Sequence, residues 1–129
     1  MREEEMPLAK IGDIQIYYEE YGEGQALIMI LGIGQDTATW EFQISDFSKH
    51  FRLILLDNRD SGKSSSCSET YTTETMARDI LGLMDHLRIA RAHLLGTSMG
   101  GMIAQQVALI APERVISLVM ASTTSWGEG

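Results

Sequence analysis

Ser98 lies in the run Gly96-Thr97-Ser98-Met99-Gly100, directly after the apolar stretch His93-Leu94-Leu95. A serine hydroxyl framed by glycines at this G-x-S-x-G spacing is a candidate nucleophile for attack on a carbonyl carbon. The spacing has a mechanical basis. A strand must turn into a helix within about four residues and lift the serine oxygen clear of the sheet on a strained backbone, so small residues must flank it. Gly96, Gly100 and Gly101 meet that need. Downstream, Met99 to Ala111 has helical spacing through Met102, Ile103, Gln106, Val107 and Ile110, and Pro112 stops it. The N–H of Met99 then opens a helix, where donors without intrahelical partners and the helix dipole favour a developing oxyanion. The plain alternative is a glycine-rich turn around an inert serine.

A serine nucleophile needs a base, and His50, His86 and His93 all precede Ser98. His93 is expected on the strand entering the turn, too far down for its ring to reach the serine oxygen. His86 falls near the end of a helix and His50 before a strand, which makes each of the three a structural or solvated residue. The acids after Ser98 are Glu113 and Glu128. Glu113 follows Pro112 in a helix-to-strand connection, expected at the end of the sheet opposite the serine. Losing the base costs on the order of a millionfold in turnover, while oxyanion stabilisation and binding alone leave roughly a thousandfold over water. The chain alone is expected to be nearly inactive.

The elements that would hold this serine follow from the rest of the sequence. Leu8 to Ile11 and Ile14 to Glu20 predict two strands joined at Gly12-Asp13, a turn pair suited to a hairpin, with Ile14, Ile16 and Tyr18 facing one way. Ala26 to Leu31 and Arg52 to Leu56 are continuous apolar runs of the kind found in strands buried on both faces. Trp40 to Phe47 predicts a short helix. Thr73 to Leu87 predicts a longer one, capped by Thr72 or Thr73, with Met76, Ile80, Leu83, Met84 and Leu87 inward. Ala92 to Leu95 leads into the serine turn and Val115 to Met120 is the last strand. Strands alternating with helices imply crossovers and a mostly parallel sheet with flanking helices.

Composition narrows the classes of partner. The 129 residues are 44% apolar and 22% charged, which suits one soluble domain burying about two-thirds of its unfolded surface. A net charge of −8 argues against nucleic acid or an anionic membrane as partner. Met1-Arg2-Glu3-Glu4-Glu5 lacks a signal-peptide core and no apolar run approaches spanning length, so a cytoplasmic location is the expectation. Cys67, the only cysteine, sits in Ser64-Ser65-Ser66-Cys67-Ser68, which reads as a surface loop and leaves no intrachain disulfide or thiolate metal site. No metal or organic cofactor is implied.

Two loops invite a phosphate-binding reading and fail it. Asp57-Asn58-Arg59-Asp60-Ser61-Gly62-Lys63-Ser64 ends in Gly-Lys-Ser, but Asp57 stands where a P-loop needs glycine and no helix pattern follows directly. Gly32-Ile33-Gly34 has Thr37 in place of the third glycine of a dinucleotide fingerprint.

Together with the serine turn, these loops resemble something else. The chain resembles the N-terminal half of an α/β-hydrolase, from a leading β-hairpin through the strand after the nucleophile helix, as a single partial domain over 1–129. Leu27 to Gly34 is similar to that family's oxyanion loop, Asp57 to Ser64 to its DxRGxGxS turn, and His93 to Gly101 to its nucleophile elbow. The resemblance implies Ser98 as nucleophile, the N–H groups of Ile33 and Met99 as oxyanion donors, and Gly96 and Gly100 as elbow glycines. Leu31 occupies a position usually held by histidine and Asp60 one usually held by glycine. The Arg-Asp-Ser-Gly form is similar to some methylesterase-like and enol-lactonase-like members. In this family the triad acid and histidine follow the serine along the chain, so the resemblance places the cap and both residues beyond Gly129.

Three readings follow. The first is the nucleophile-bearing part of a serine hydrolase acting on a small ester or related carbonyl compound, completed by a C-terminal half. The second is a non-catalytic binding or regulatory domain on the same fold. The third is a homo-oligomer in which a neighbouring copy brings His50 or His86 to Ser98. Trp40 and Trp126 would line a pocket or serve as packing anchors. The strand Val115 to Met120 would expose an unpaired apolar edge, open to a missing segment or to self-association.

Overall fold

The computed structural model describes residues 7–32 and 35–121. Its framework is a six-stranded sheet made of β1 (Leu8–Ile11), β2 (Ile14–Tyr21), β3 (Ala26–Ile30), β4 (Arg52–Leu56), β5 (Ala92–Thr97) and β6 (Val115–Ala121). The spatial order is β1-β2-β4-β3-β5-β6. The hairpin β1–β2 joins antiparallel to β4, while β4, β3, β5 and β6 run parallel. This is the predicted sheet, with the hairpin turn at Gly12 supplied by a φ of 60°.

One handedness rule distributes the helices. The step from β3 to β4 through α1 (Glu41–Phe47) runs toward β2, whereas β4 to β5 through α2 (Thr73–His86) and β5 to β6 through α3 (Met99–Ile110) run the other way. Right-handed crossovers therefore put α1 on one face and α2 with α3 on the other. The central strands show both coverings through period-two alternation. Ile28, Ile30, Ile54 and Leu56 pack with Met76, Ile80, Leu83, Ile103 and Val107 on the α2/α3 face. Leu27, Met29, Leu31, Leu53 and Leu55 pack with Trp40, Ile44 and Phe47 on the α1 face.

The α1 face is only partly covered. Beside α1, over β3, β5 and β6, an apolar cleft of about 200 Å³ lies between Phe47, Phe51, Leu95 and Val119. Val119 and Met120 on β6 are 51% and 45% exposed. No helix among the described residues is long and apolar enough to cross a membrane.

Several expectations shift in detail. The helix predicted from Trp40 is preceded by a 3-10 turn over Thr37–Trp40, capped by the Asp36 carboxylate, and α1 starts at Glu41. Strand β2 is not one-sided, because Tyr17 is buried as well as Ile14 and Ile16. On α3 the buried residues are Gly100, Gly101, Ile103, Ala104 and Val107, while Met102, Gln106 and Ile110 are only half-buried. The glycines cause that rotation: a Cβ on Gly100 would stand 2.1 Å from the Ile30 carbonyl oxygen, so the helix lies directly on the strand at its small residues.

Candidate active site

Ser98 joins β5 to α3 with φ 54° and ψ −127°, outside the regions a residue with a side chain readily adopts. Its N–H donates to the Ala121 carbonyl (3.1 Å) and its own carbonyl accepts from the Gly101 N–H (3.0 Å), so both neighbouring elements hold the turn. The serine residue is exposed, and its side chain makes no capping bond to the helix it opens. Gly96 and Gly100 are fixed by close approach. A Cβ on Gly96 would lie 2.4 Å from the Gly100 carbonyl oxygen and 2.7 Å from the Gly101 Cα. Met99 begins the first turn of α3, whose N–H groups have no acceptor within the helix. Gly32, just past β3, runs beside it: a Cβ there would be 3.7 Å from the Met99 nitrogen.

The histidines lie elsewhere. In the β5–β6 register Thr97 pairs with Ala121 at the serine end, while His93 pairs with Ser117 four residues down, about 13 Å away along the strand. There the His93 ring contacts Ser117 Oγ (2.6 Å), Gln25 Oε1 (2.8 Å) and, edge-on, Phe51. His86 stands edge-on to Tyr18 at 5.9 Å, and His50 is exposed ahead of β4. Glu113 belongs to the 3-10 turn Pro112–Arg114 that enters β6, whose first residue pairs with Ala92 at the far end of the sheet. Ile33, Trp126 and Glu128 lie outside the described residues.

Past the end of β4, which β3 separates from the β5 strand leading to Ser98, the sheet carries a polar assembly that residue types alone did not reveal. Asn58, 2% exposed, donates from Nδ2 to the Leu31 carbonyl (2.6 Å). Asp57, equally buried, accepts from the Thr37 N–H (2.9 Å) and the Lys63 N–H (2.9 Å). Burial raises the Asp57 pKa; those two N–H groups oppose the rise, and the nearby Asp36 and Glu19 charges add to it. Glu19 accepts from the hydroxyls of Tyr17 (2.8 Å), Tyr21 (2.5 Å) and Thr37 (2.7 Å). Burial alone would raise its carboxyl, but the Tyr21, Thr37 and Tyr17 hydroxyls together hold it below the ordinary value. The Gly-Lys-Ser loop thus folds its Lys63 amide around an internal carboxylate, and the next helix begins only at Thr73.

Arg59 ties the same loop to α2. Its guanidinium meets the Asp79 carboxylate through two bonds (2.7 and 2.8 Å), with the Tyr71 ring 5.3 Å away. Asp60 holds φ 65°, which accounts for a glycine being the usual occupant of that position, and accepts from Tyr71 Oη and the Cys67 N–H. Those donors, Tyr71 first, lower its pKa. Cys67 is less plain than its serine-rich loop suggested: the half-buried thiol lies 3.6 Å from Arg59 Nη1. The described residues contain no group of three or more histidines, cysteines or carboxylates placed to hold a metal ion. Cavities of about 450 and 390 Å³ open beside Cys67 and beside Glu19, and neither is lined by Ser98.

The fold has counterparts in known proteins. A sequence profile of the alpha/beta hydrolase fold matches residues 25–128. The 3-oxoadipate enol-lactonase 2 of Acinetobacter baylyi is 32% identical over 115 residues, covering 88% of this chain and 43% of its own length. The dihydrolipoyllysine-residue acetyltransferase component of the acetoin cleaving system of Pseudomonas putida is 36% identical over 118 residues, covering 91% of this chain and 32% of its own. The crystal structure of a hydrolase from Pseudomonas aeruginosa superposes with a TM-score of 0.91 at 33% identity, over 97% of this chain and 48% of that one. The chain spans between a third and a half of the length of these relatives. With the profile matching over most of its length and the same layering in a solved hydrolase, the chain belongs to the α/β hydrolase fold family.

Proposed function

We propose that the chain is the nucleophile-bearing part of a serine hydrolase that transfers the acyl group of a small ester or related carbonyl compound to water. The observation that carries this reading is the backbone of Ser98, held at φ 54° between strand and helix with the residue exposed. Strain of this kind persists where surrounding structure enforces it, and it presents a hydroxyl at a helix N-terminus. In the proposed reaction Ser98 Oγ bonds to the carbonyl carbon while a base takes its proton, and the carbonyl oxygen becomes an oxyanion facing the N–H groups of Met99 and Ile33. The oxyanion collapses, the bond to the leaving group breaks, and that group departs with the proton. Water then cleaves the acyl-serine by the same steps.

The base and its acid come from outside residues 1–129, because His50, His86, His93 and Glu113 lie away from Ser98 or at the far end of the sheet. The chain by itself is thus a partial domain with little or no turnover, completed by a C-terminal half or, less economically, by a second copy at β6. Relatives of similar identity carry names as different as lactonase and acetyltransferase component, so substrate choice rests on parts beyond the shared half.

The test is intact mass after treatment with a fluorophosphonate, for this chain alone and for this chain joined to a base-supplying half. The expected result is no adduct on the chain alone and a single adduct on the joined protein that disappears in Ser98→Ala. Ester hydrolysis or labelling that survives Ser98→Ala in the joined protein would overturn the reading.

A further inference from the structure

We infer that Asn58 and Asp57 are positioning residues that hold the chain leaving β3 against the Met99 N–H, and so set the geometry of oxyanion stabilisation. This rests on the serine-hydrolase reading and names the residues its rate would depend on. Leu31 and Gly32 follow the last residue of β3, where the ladder with β4 and β5 has ended, so sheet hydrogen bonds no longer fix their peptide planes. Gly32 nevertheless runs close enough to Met99 that a Cβ on it would stand 3.7 Å from the Met99 nitrogen. The fixing is done by side chains. Asn58 Nδ2 grips the Leu31 carbonyl at 2.6 Å, which sets the plane of the Leu31–Gly32 peptide. Farther along the chain, Asp57 Oδ1 takes the Thr37 N–H at 2.9 Å.

Both anchors are built rather than incidental. Asn58 and Asp57 are each 2% exposed, a costly place for an amide and a carboxylate unless the bonds they make are needed. Asp57 is braced from behind by the Lys63 N–H, and Gly62 exists in that loop because a Cβ there would sit 2.1 Å from Asp57 Oδ2. Thr37 is held a second time through its hydroxyl on Glu19. Neither Asn58 nor Asp57 needs to touch substrate. Their effect passes through the backbone they hold, and a displacement of about 1 Å at such a site costs on the order of a hundredfold in rate.

Two measurements on the variants Asn58→Leu and Asn58→Ser test this. The first is amide hydrogen exchange in the 129-residue chain, which needs no catalysis. Gly32 should exchange at least about tenfold faster while amides in the middle of β3 and β4 keep their wild-type rates, because only the peptide past the ladder has lost its anchor. Unchanged exchange at Gly32, or an equal rise at every amide, overturns the inference. Asn58→Ser leaves room for water beside the Leu31 carbonyl and serves if Asn58→Leu does not fold. The second measurement is steady-state kinetics of the joined, active protein, where kcat should fall about a hundredfold with KM within about twofold. A fall shared between kcat and KM, or an unchanged kcat, overturns the catalytic role. If Gly32 exchange rises as expected but wild type proves inert toward esters and fluorophosphonate alike, the serine-hydrolase reading has failed while the anchor itself stands.

Discussion

At the scale of single residues, Ser98 and Glu19 show local cost and local gain. Ser98 holds a backbone conformation that costs on the order of 1–3 kcal/mol for a residue with a side chain. Glycine removes that strain and gives back part of the gain through unfolded-chain entropy. Ser98→Gly is therefore expected to raise stability by about 1 kcal/mol, read as a higher urea midpoint, while removing the proposed nucleophile. Glu19 works the opposite way. Its carboxyl, held below its ordinary value of 4.5 in spite of burial, contributes stability that is present at neutral pH and lost as pH falls below 4.5 through the folded value. Asp57, whose burial raises its pKa, has the reverse sign: its ionised form opposes folding above its ordinary value of 3.8. Comparing Glu19→Gln with wild type separates the two. The wild-type urea midpoint should drop more steeply on acidification than that of Glu19→Gln, and parallel curves would remove the proposed role of the three hydroxyls.

At the scale of elements, much was legible because it is written in periodicity. The continuous apolar runs Ala26 to Leu31 and Arg52 to Leu56 are the expected strands covered on both sides, the first ending at Ile30, and of the two expected caps it is Thr72 that closes α2, through reciprocal bonds with Thr75. The turn at Ser98 was legible because Gly96, Gly100 and Gly101 surround it, and the close approaches explain why Gly96 and Gly100 are small. The buried stripe of α3 was misread, since hydropathy marks Met102 and Ile110 as inward while contact at Gly100 turns Ile103, Ala104 and Val107 to the sheet. Polar anchors were not legible at all. Asn58 reaches a carbonyl 27 residues away and Arg59 a carboxylate 20 residues away, and no local pattern announces such partners. The second of these bears weight between elements. Arg59 and Asp79 are 12% and 6% exposed, so Asp79→Ala strands a buried guanidinium and should lower stability by about 3 kcal/mol in urea denaturation. Gly100→Ala should lower it by about as much or prevent folding, because helix and strand would have to separate.

At the scale of the whole molecule, coverage of the sheet is uneven. The α2/α3 face is closed, while the other face is open over β5 and β6, and β6 has no neighbour on its outer side among the described residues. The strand Val-Ile-Ser-Leu-Val-Met-Ala contains neither a charge nor a proline, the devices that usually discourage edge pairing. Val119→Lys places a charge on this exposed strand, and sedimentation of the isolated chain should show less association than wild type at the same concentration. Equal association would mean that β6 is not the contact. The uncharged strand also shapes how the chain fares while it is being made. Folding of one copy is first order, whereas pairing of two edges is second order, so doubling the amount of newly made chain raises the pairing rate roughly fourfold. Slow, dilute synthesis, or early capture of β6 by the proposed C-terminal half, then decides how much of the product survives as folded protein rather than as paired edges.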